Sequence, residues 1–336
     1  MEDLIIPEGY KPKLSLKDTE IAIKKLKDFF ERSLAKELKL MRVSAPLFVK
    51  PESGLNDDLS GEERPVSFDI KDDNYAEVEI VHSLAKWKRM VLGRYELGIG
   101  EGLYTDMNAI RRDEVLDNTH SLYVDQWDWE KIITKEMRNE WTLISIVKSI
   151  YRVFLETEEY INSLYPSLDK LLPEEITFIT AQQLENLYPD LSPDDREHAI
   201  AKEKKAVFIM EIGGKLESGQ IHSNRAPDYD DWTLNGDIIF WNPMHERALE
   251  LSSMGIRVDE ETLEKQLAIA GCEERKERTF HKMLLEGKLP YTVGGGIGQS
   301  RICMFFLQKA HIGEVQSCVW PDEMIETCRE NNIILL

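Results

Sequence analysis

Cysteine is scarce in this chain. Cys272, Cys303, Cys318 and Cys328 are the four present among 336 residues, and no two form a C-x-x-C pair. That pattern fits neither a disulfide framework nor a zinc site, and it suggests a reducing compartment. Seven histidines, including His82, His120 and His222, show no ligand spacing. Basic residues are in deficit: 42 Lys and Arg face 62 Asp and Glu, a formal net charge of −20. Nucleic-acid affinity rests on neutralising phosphates, so a broad RNA or DNA surface is disfavoured. No apolar stretch approaches the ~20 residues of a membrane span. The opening MEDLIIPEGYKPK has no hydrophobic signal-peptide region. The expected location is the cytoplasm, with neither nucleic acid nor membrane as a partner.

What remains is a globular composition, 42% hydrophobic and 31% charged. Pro7, Gly9 and Pro12 mark residues 1–16 as an irregular arm. From Asp18, Ile21, Leu26, Phe29, Phe30 and Leu34 recur at helical spacing. LMRVSAPLFV then reads as a strand, with Pro46 confining it to an edge, an end or an interface. The polar loop GLNDDLSGEERP is long enough to suggest function. VSFDI, YAEVEIVHS, GLYTDMNAI and HSLYVDQWDWE read as strands, with LAKWKRMVLGRYEL a helix among them. Residues 131–206 look mainly helical, and further strands, a helix from about 259 and a glycine segment follow. Meandering strands with segregated helices predict an α+β fold with a largely antiparallel sheet flanked by helices.

The segment YTVGGGIGQSR, Tyr291 to Arg301, is tested first as a phosphate loop. A P-loop needs a Lys after its glycines, and a dinucleotide fingerprint needs an early βαβ unit with a later acid. Neither is met. Glycines at a strand end followed by Arg301 suit a nucleotide, but equally a tight strand-to-helix turn with an exposed Arg. In HSLYVDQWDWE, alternation puts Leu122, Val124, Gln126 and Asp128 on one face and Tyr123, Asp125, Trp127 and Trp129 on the other. Gln126 and Asp128 could address a small polar ligand, or simply lie hydrated at a strand's exit from the core. Ser83, Lys88 and Arg111 offer a hydroxyl and cations for an anion, although surface Lys and Arg are mostly solvated. Asp237 and Glu250, on neighbouring strand candidates, would suit Mg²⁺ with a triphosphate.

Together these runs resemble the ammonia-dependent asparagine synthetase (aspartate–ammonia ligase) family. The matching stretches are VHSLAKWKR, GEGLYT, VDQWDWE, HAIAK, IGGKL, RAPDYDDW, NGDI, ELSSMGIRVD, GGGIGQSR, HIGEVQ and VWP, spanning residues 18 to 321. The resemblance implies a fold like the catalytic core of class II aminoacyl-tRNA synthetases. On that view an arm, 1–16, precedes a single catalytic domain, 17–336, with a helical insertion at about 131–206. The implied reaction activates L-aspartate with Mg-ATP to β-aspartyl-AMP, which ammonia converts to asparagine and AMP.

Carried over by position, Asp57, Ser83, Lys88, Gln126 and Asp128 would hold aspartate. Arg111, Gln126 and Arg301 would be catalytic. ATP would meet Arg111, Arg301, Gly296 and Gly298, with Asp230, Ser253 and Arg257 nearby, and Asp237 and Glu250 would carry Mg²⁺. A homodimer through the first helix and the Pro46 strand is also implied. Two features depart from the pattern: a short loop between Trp232 and Asn235, and an arm and tail, 322–336, without recognisable counterpart. Competing readings are a class II aspartyl- or asparaginyl-tRNA synthetase, or an inactive relative that binds amino acid or AMP.

Overall fold

The computed structural model describes residues 4–59 and 63–336; the tip of the GLNDDLSGEERP loop lies outside the described residues. Residues 4–15 run irregularly, as their prolines predict, yet Tyr10 and Leu14 are buried. Ser15 then caps α1 (Leu16–Leu38), its side chain accepting from the Asp18 amide. Lys39, left-handed at φ 57°, ends the helix.

The stretch expected as one strand is two short ones in different sheets, β1 (Leu40–Arg42) and β2 (Phe48–Val49). Pro46 lies between them and brings no N–H to a ladder. Next come β3 (Ser67–Ile70), β4 (Ala76–Ile80), α2 (Ala85–Val91), β5 (Gly102–Ile110) and β6 (Tyr123–Ile132). The region expected to be mainly helical contains α3 (Glu140–Leu164), α4 (Ala181–Leu187) and α5 (Pro193–Lys204). It also supplies a strand, β7 (Thr177–Thr180), between α3 and α4. The chain continues through β8 (Ala206–Met210), β9 (Asp230–Asn242), β10 (Arg247–Arg257), α6 (Glu260–Ala270) and α7 (Thr279–Leu285). It closes with β11 (Thr292–Gly298), α8 (Gln299–Phe306) and α9 (Asp322–Glu330). The loop expected between Trp232 and Asn235 is absent: these residues lie within β9.

An eight-stranded sheet in the order β1-β5-β6-β11-β10-β9-β8-β7 forms the centre, and β2-β4-β3 form a small second sheet. The edge pairs β1–β5 and β7–β8 are parallel and the pairs between them antiparallel. One face of the large sheet carries an apolar layer with α1, α3 and α8. Phe30 stacks on Trp127 at 4.9 Å, and Phe240 meets Phe154 and Phe305 at 5.0 and 5.3 Å. Burying an aromatic of this size is worth roughly 1.5–3 kcal/mol. α1 contributes Ala22, Leu26, Phe30 and Leu34, one per helical turn.

The opposite face packs Trp87 of α2, Leu263 of α6 and Phe280 of α7 against Leu103, Met107 and Val124. The predicted alternation of β6 therefore holds. Trp127 and Trp129 belong to the first layer, while Val124 shares the second face with Gln126 and Asp128.

Candidate active site

Over β6, β11 and β10 the second face opens into a cavity of about 450 Å³. Asp57, Ser83, Lys88, Arg111, Gln126, Asp128, Asp230, Glu250, Ser253, Arg257, Gly296, Gly298 and Arg301 all line it. Of the expected site residues only Asp237 does not. It is buried on β9, paired through its Oδ2 with Arg225, which does line the cavity.

The glycine segment forms its floor in an unexpected way. Gly294, Gly295, Gly296 and Gly298 lie within β11, between β6 and β10, and none has a positive φ. They serve space rather than a turn. A Cβ on Gly294 would collide with the Glu130 carboxylate, and one on Gly296 with Gln126 Oε1. Bare backbone lets the side chains of β6 lie across the strand.

At one end, Lys88 Nζ sits 3.1 Å from Asp128 Oδ2 and donates to the Gly295 carbonyl. Burial pushes the lysine's pKa down, and Asp128 only partly opposes this. Beside it, Arg257 is held between two carboxylates. Its Nη2 donates to Glu130 at 2.8 Å, its Nη1 pairs with Asp230, and its guanidinium lies over the Tyr229 ring at 5.7 Å. Burial disfavours that charge, but Asp230 and Glu130 overcome the cost and raise the arginine's pKa.

Asp230 and Arg257, expected near the nucleotide, thus stand with Lys88. The Arg301 guanidinium is at the other end, donating to the carbonyls of Glu250 (2.9 Å) and Thr119 (3.4 Å). Glu250 and Arg257 are seven residues apart on β10, about 23 Å at ~3.3 Å per residue. A period-two pattern continued past Gln126 and Asp128 would have pointed to Glu130, which sequence reading missed. Tyr229 and Arg225, inside the RAPDYDDW run, were missed because nothing in their spacing distinguishes them from loop residues.

Arg111 follows β5, its amide bonded to the Leu122 carbonyl. Its Nε is buried without a hydrogen-bond partner among the described residues. Asp57 Oδ1 accepts the Leu59 amide at 3.0 Å, and burial raises its pKa. Ser83 Oγ accepts the Ala85 amide.

Asp237 and Glu250 lie on adjacent strands. Burial, with the Glu250 charge adding, pushes the Asp237 carboxyl up to about 7, although Arg225 opposes. Its Oδ1 is buried with no hydrogen-bond partner among the described residues. Two repelling carboxylates with an unused oxygen suit a hard cation that completes its shell with water and phosphate. Among the described residues no group of three or more His, Cys, Asp or Glu could hold a metal by itself.

A family model for aspartate-ammonia ligase matches residues 17–332. An aspartate–ammonia ligase of Clostridium perfringens is 69% identical over 336 residues, covering all of both chains. One from Fusobacterium nucleatum is 66% identical over 98% of this chain and all of its own. The arm and tail, unmatched by sequence reading, therefore have counterparts in the Clostridium relative. Among solved structures, asparaginyl-tRNA synthetase from Pyrococcus horikoshii with asparaginyl-adenylate aligns at TM-score 0.65 and 13% identity. It covers 90% of this chain and 70% of that one. Aspartyl-tRNA synthetase from Entamoeba histolytica aligns at TM-score 0.60 and 15% identity, over 89% of this chain and 58% of the other. The fold is that of class II aspartyl- and asparaginyl-tRNA synthetases.

Proposed function

This chain belongs to the aspartate–ammonia ligase family, and on that premise we propose that its cavity joins aspartate to ammonia at the expense of ATP. It is a ligase that makes asparagine. The observation carrying the site assignment is a succession of cations along one cavity. Lys88 and Arg257 stand at one end, Arg111 beyond Gln126, and Arg301 at the far end.

Lys88 and Arg257 hold the α-carboxylate of aspartate, with Asp57 and Asp128 receiving its α-ammonium and Gln126 and Ser83 completing the polar lining. This leaves the β-carboxylate toward Arg111. A β-carboxylate oxygen attacks the α-phosphorus of ATP as the bond to pyrophosphate breaks. Arg111 stabilises the negative charge that spreads over the pentacovalent phosphorus. Ammonia then attacks the β-carbonyl carbon of the adenylate, the carbon–oxygen bond to AMP breaks, and a proton is lost.

Arg301, Ser253 and the backbone at Gly298 receive the nucleotide, while the bare backbone of Gly296, beside Gln126 and Asp128, borders the aspartate end. Asp237 and Glu250 would hold Mg²⁺, which screens the triphosphate beside so many acids. Arg225, which pairs with Asp237 and also lines the cavity, would stand beside that cation. No nucleophilic side chain is needed, because alignment of two anions accounts for most of the rate.

A homodimer forms through α1 and the segment around Pro46. Support comes from exposed Met41, Leu47, Phe48 and Phe68 near that segment, with Phe48 and Phe68 in edge contact at 5.1 Å. Nucleic acid is not a partner, in keeping with the net charge of −20. Incubation with aspartate, Mg-ATP and ammonium, with and without tRNA, tests the assignment. Asparagine, AMP and pyrophosphate are expected. Formation of ADP, a requirement for glutamine, or aspartyl-tRNA would overturn it.

A further inference from the structure

The arm, residues 4–15, contributes nothing to the cavity lining among the described residues, yet it is tied to two of its walls. The junction is Asn118, which is 2% exposed and stands in the loop between β5 and β6. Its Oδ1 accepts the Ile5 amide at 2.7 Å, and its Nδ2 donates to the carbonyls of Ile5 (2.8 Å) and Ala310 (2.7 Å). Its own carbonyl accepts the Ile312 amide at 2.8 Å. One side chain thus joins the arm, the β5–β6 loop and the segment after α8, with both amide protons used.

The β5–β6 loop and the segment after α8 both touch the nucleotide end. Thr119, next to Asn118, offers the carbonyl that Arg301 Nε uses. Asp117, on its other side, accepts the amides of Thr119 and His120 at 2.6 and 2.8 Å. Ile312 and Gln316 line the cavity, and Gln316 donates to Asp125 and Ser300. The arm grips this second segment again through Tyr10, whose hydroxyl donates to Glu314 Oε1 at 2.9 Å. Glu314 Oε2 in turn accepts the amides of Ala310 and His311. Lys13 Nζ adds a bond to Gln308 at 2.6 Å.

We propose that the N-terminal arm is a brace for the nucleotide end of the cavity, and that Asn118 is the positioning residue through which it acts. The inference rests on the reading that the Arg301 end receives ATP. Loss of the Ile5 bonds leaves a buried amide unpaired, and the β5–β6 loop relaxes away from Arg301. The aspartate end, built on β6, β10 and α2, has no such tie to the arm among the described residues.

Separate KM values for ATP and for aspartate test this in the full-length chain. Ile5→Pro removes the amide donor while keeping an apolar side chain, and Asn118→Ala removes the junction. Each is expected to raise KM for ATP about tenfold, the cost of one unpaired buried amide, while KM for aspartate stays within about twofold. Tyr10→Phe, which loses only the bond to Glu314, is expected to give a smaller rise of the same kind. An unchanged KM for ATP in Ile5→Pro, or equal rises in both KM values, overturns the brace. Arg301→Ala, measured alongside, separates the two readings. If it leaves KM for ATP unchanged, the nucleotide assignment itself is wrong, whatever the arm variants do.

Discussion

At the aspartate end of the cavity each cation already has a carboxylate. Lys88 faces Asp128, and Arg257 lies between Glu130 and Asp230. At the nucleotide end, among the described residues, Arg301 bonds only backbone carbonyls and Arg111 has a buried Nε with no partner. The difference matches what each end is proposed to receive. The α-ammonium and α-carboxylate of aspartate bring balanced charge, so a lattice of internal pairs can orient them without storing an excess of either sign. A polyanion brings unbalanced charge, so the residues that meet it are left incompletely satisfied until it arrives. The first arrangement stabilises the fold, and the second reserves its electrostatics for the ligand.

Breaking the paired end has the largest expected effect. Lys88→Met leaves Asp128 buried without its cation and is expected to cost about 3–5 kcal/mol of stability along with aspartate binding. Urea unfolding measures it. At the unpaired end, Arg111→Ala is expected to lower kcat about 10²–10³-fold, some 2.7–4 kcal/mol, with no loss of melting temperature. If Arg111→Ala destabilised the fold as much as Lys88→Met, the contrast between the two ends would fail.

A pH series sharpens the comparison next, because His311 sits behind the nucleotide end. Its Nδ1 accepts the Gly313 amide at 3.0 Å and its ring meets Trp320 edge-on. Burial lowers its pKa from 6.5 to about 4. Between those values the unfolded chain binds the proton and the folded one resists it. The stability is therefore fully present above pH 6.5 and is lost as pH falls toward 4, on the order of 3 kcal/mol in all. Unfolding midpoints at pH 7 and pH 5 should differ, and His311→Gln should flatten the difference. The smallest expected effect is Gly296→Ala. Its Cβ would press on Gln126 and Asp128, raising KM for aspartate about tenfold through displaced side chains. An equal change in KM for ATP would show that the ends are not separable.

Much of this was legible in the residues. Alternation in HSLYVDQWDWE placed Gln126 and Asp128 opposite Trp127 and Trp129, because a pleated strand has a strict period of two. The long helix beginning near Asp18 was readable from its apolar spacing. What escaped depended on contacts between distant segments. Arg257 was drawn to the nucleotide by resemblance, and its place beside Lys88 follows only from the register of β10 on β11. The strand through Pro46 split because its halves find partners in different sheets. The arm looked unstructured since its order comes from Asn118 and Glu314, more than a hundred residues away. The glycines of β11 read only as a strand end or a turn, because no local pattern reveals a whole strand whose side chains have been removed to admit those of its neighbours.

That strand has a consequence for how the molecule comes into being. Each glycine costs roughly 0.5–1 kcal/mol more than alanine to order, and β11 has few side chains of its own to collapse around. It can settle only between β6 and β10, which lie well over a hundred residues apart in the chain. Such distant pairing comes late in folding. A partly folded chain can be compact and rich in helix, but it has no catalytic floor. Activity therefore reports completion of the fold, and a half-made enzyme cannot spend ATP.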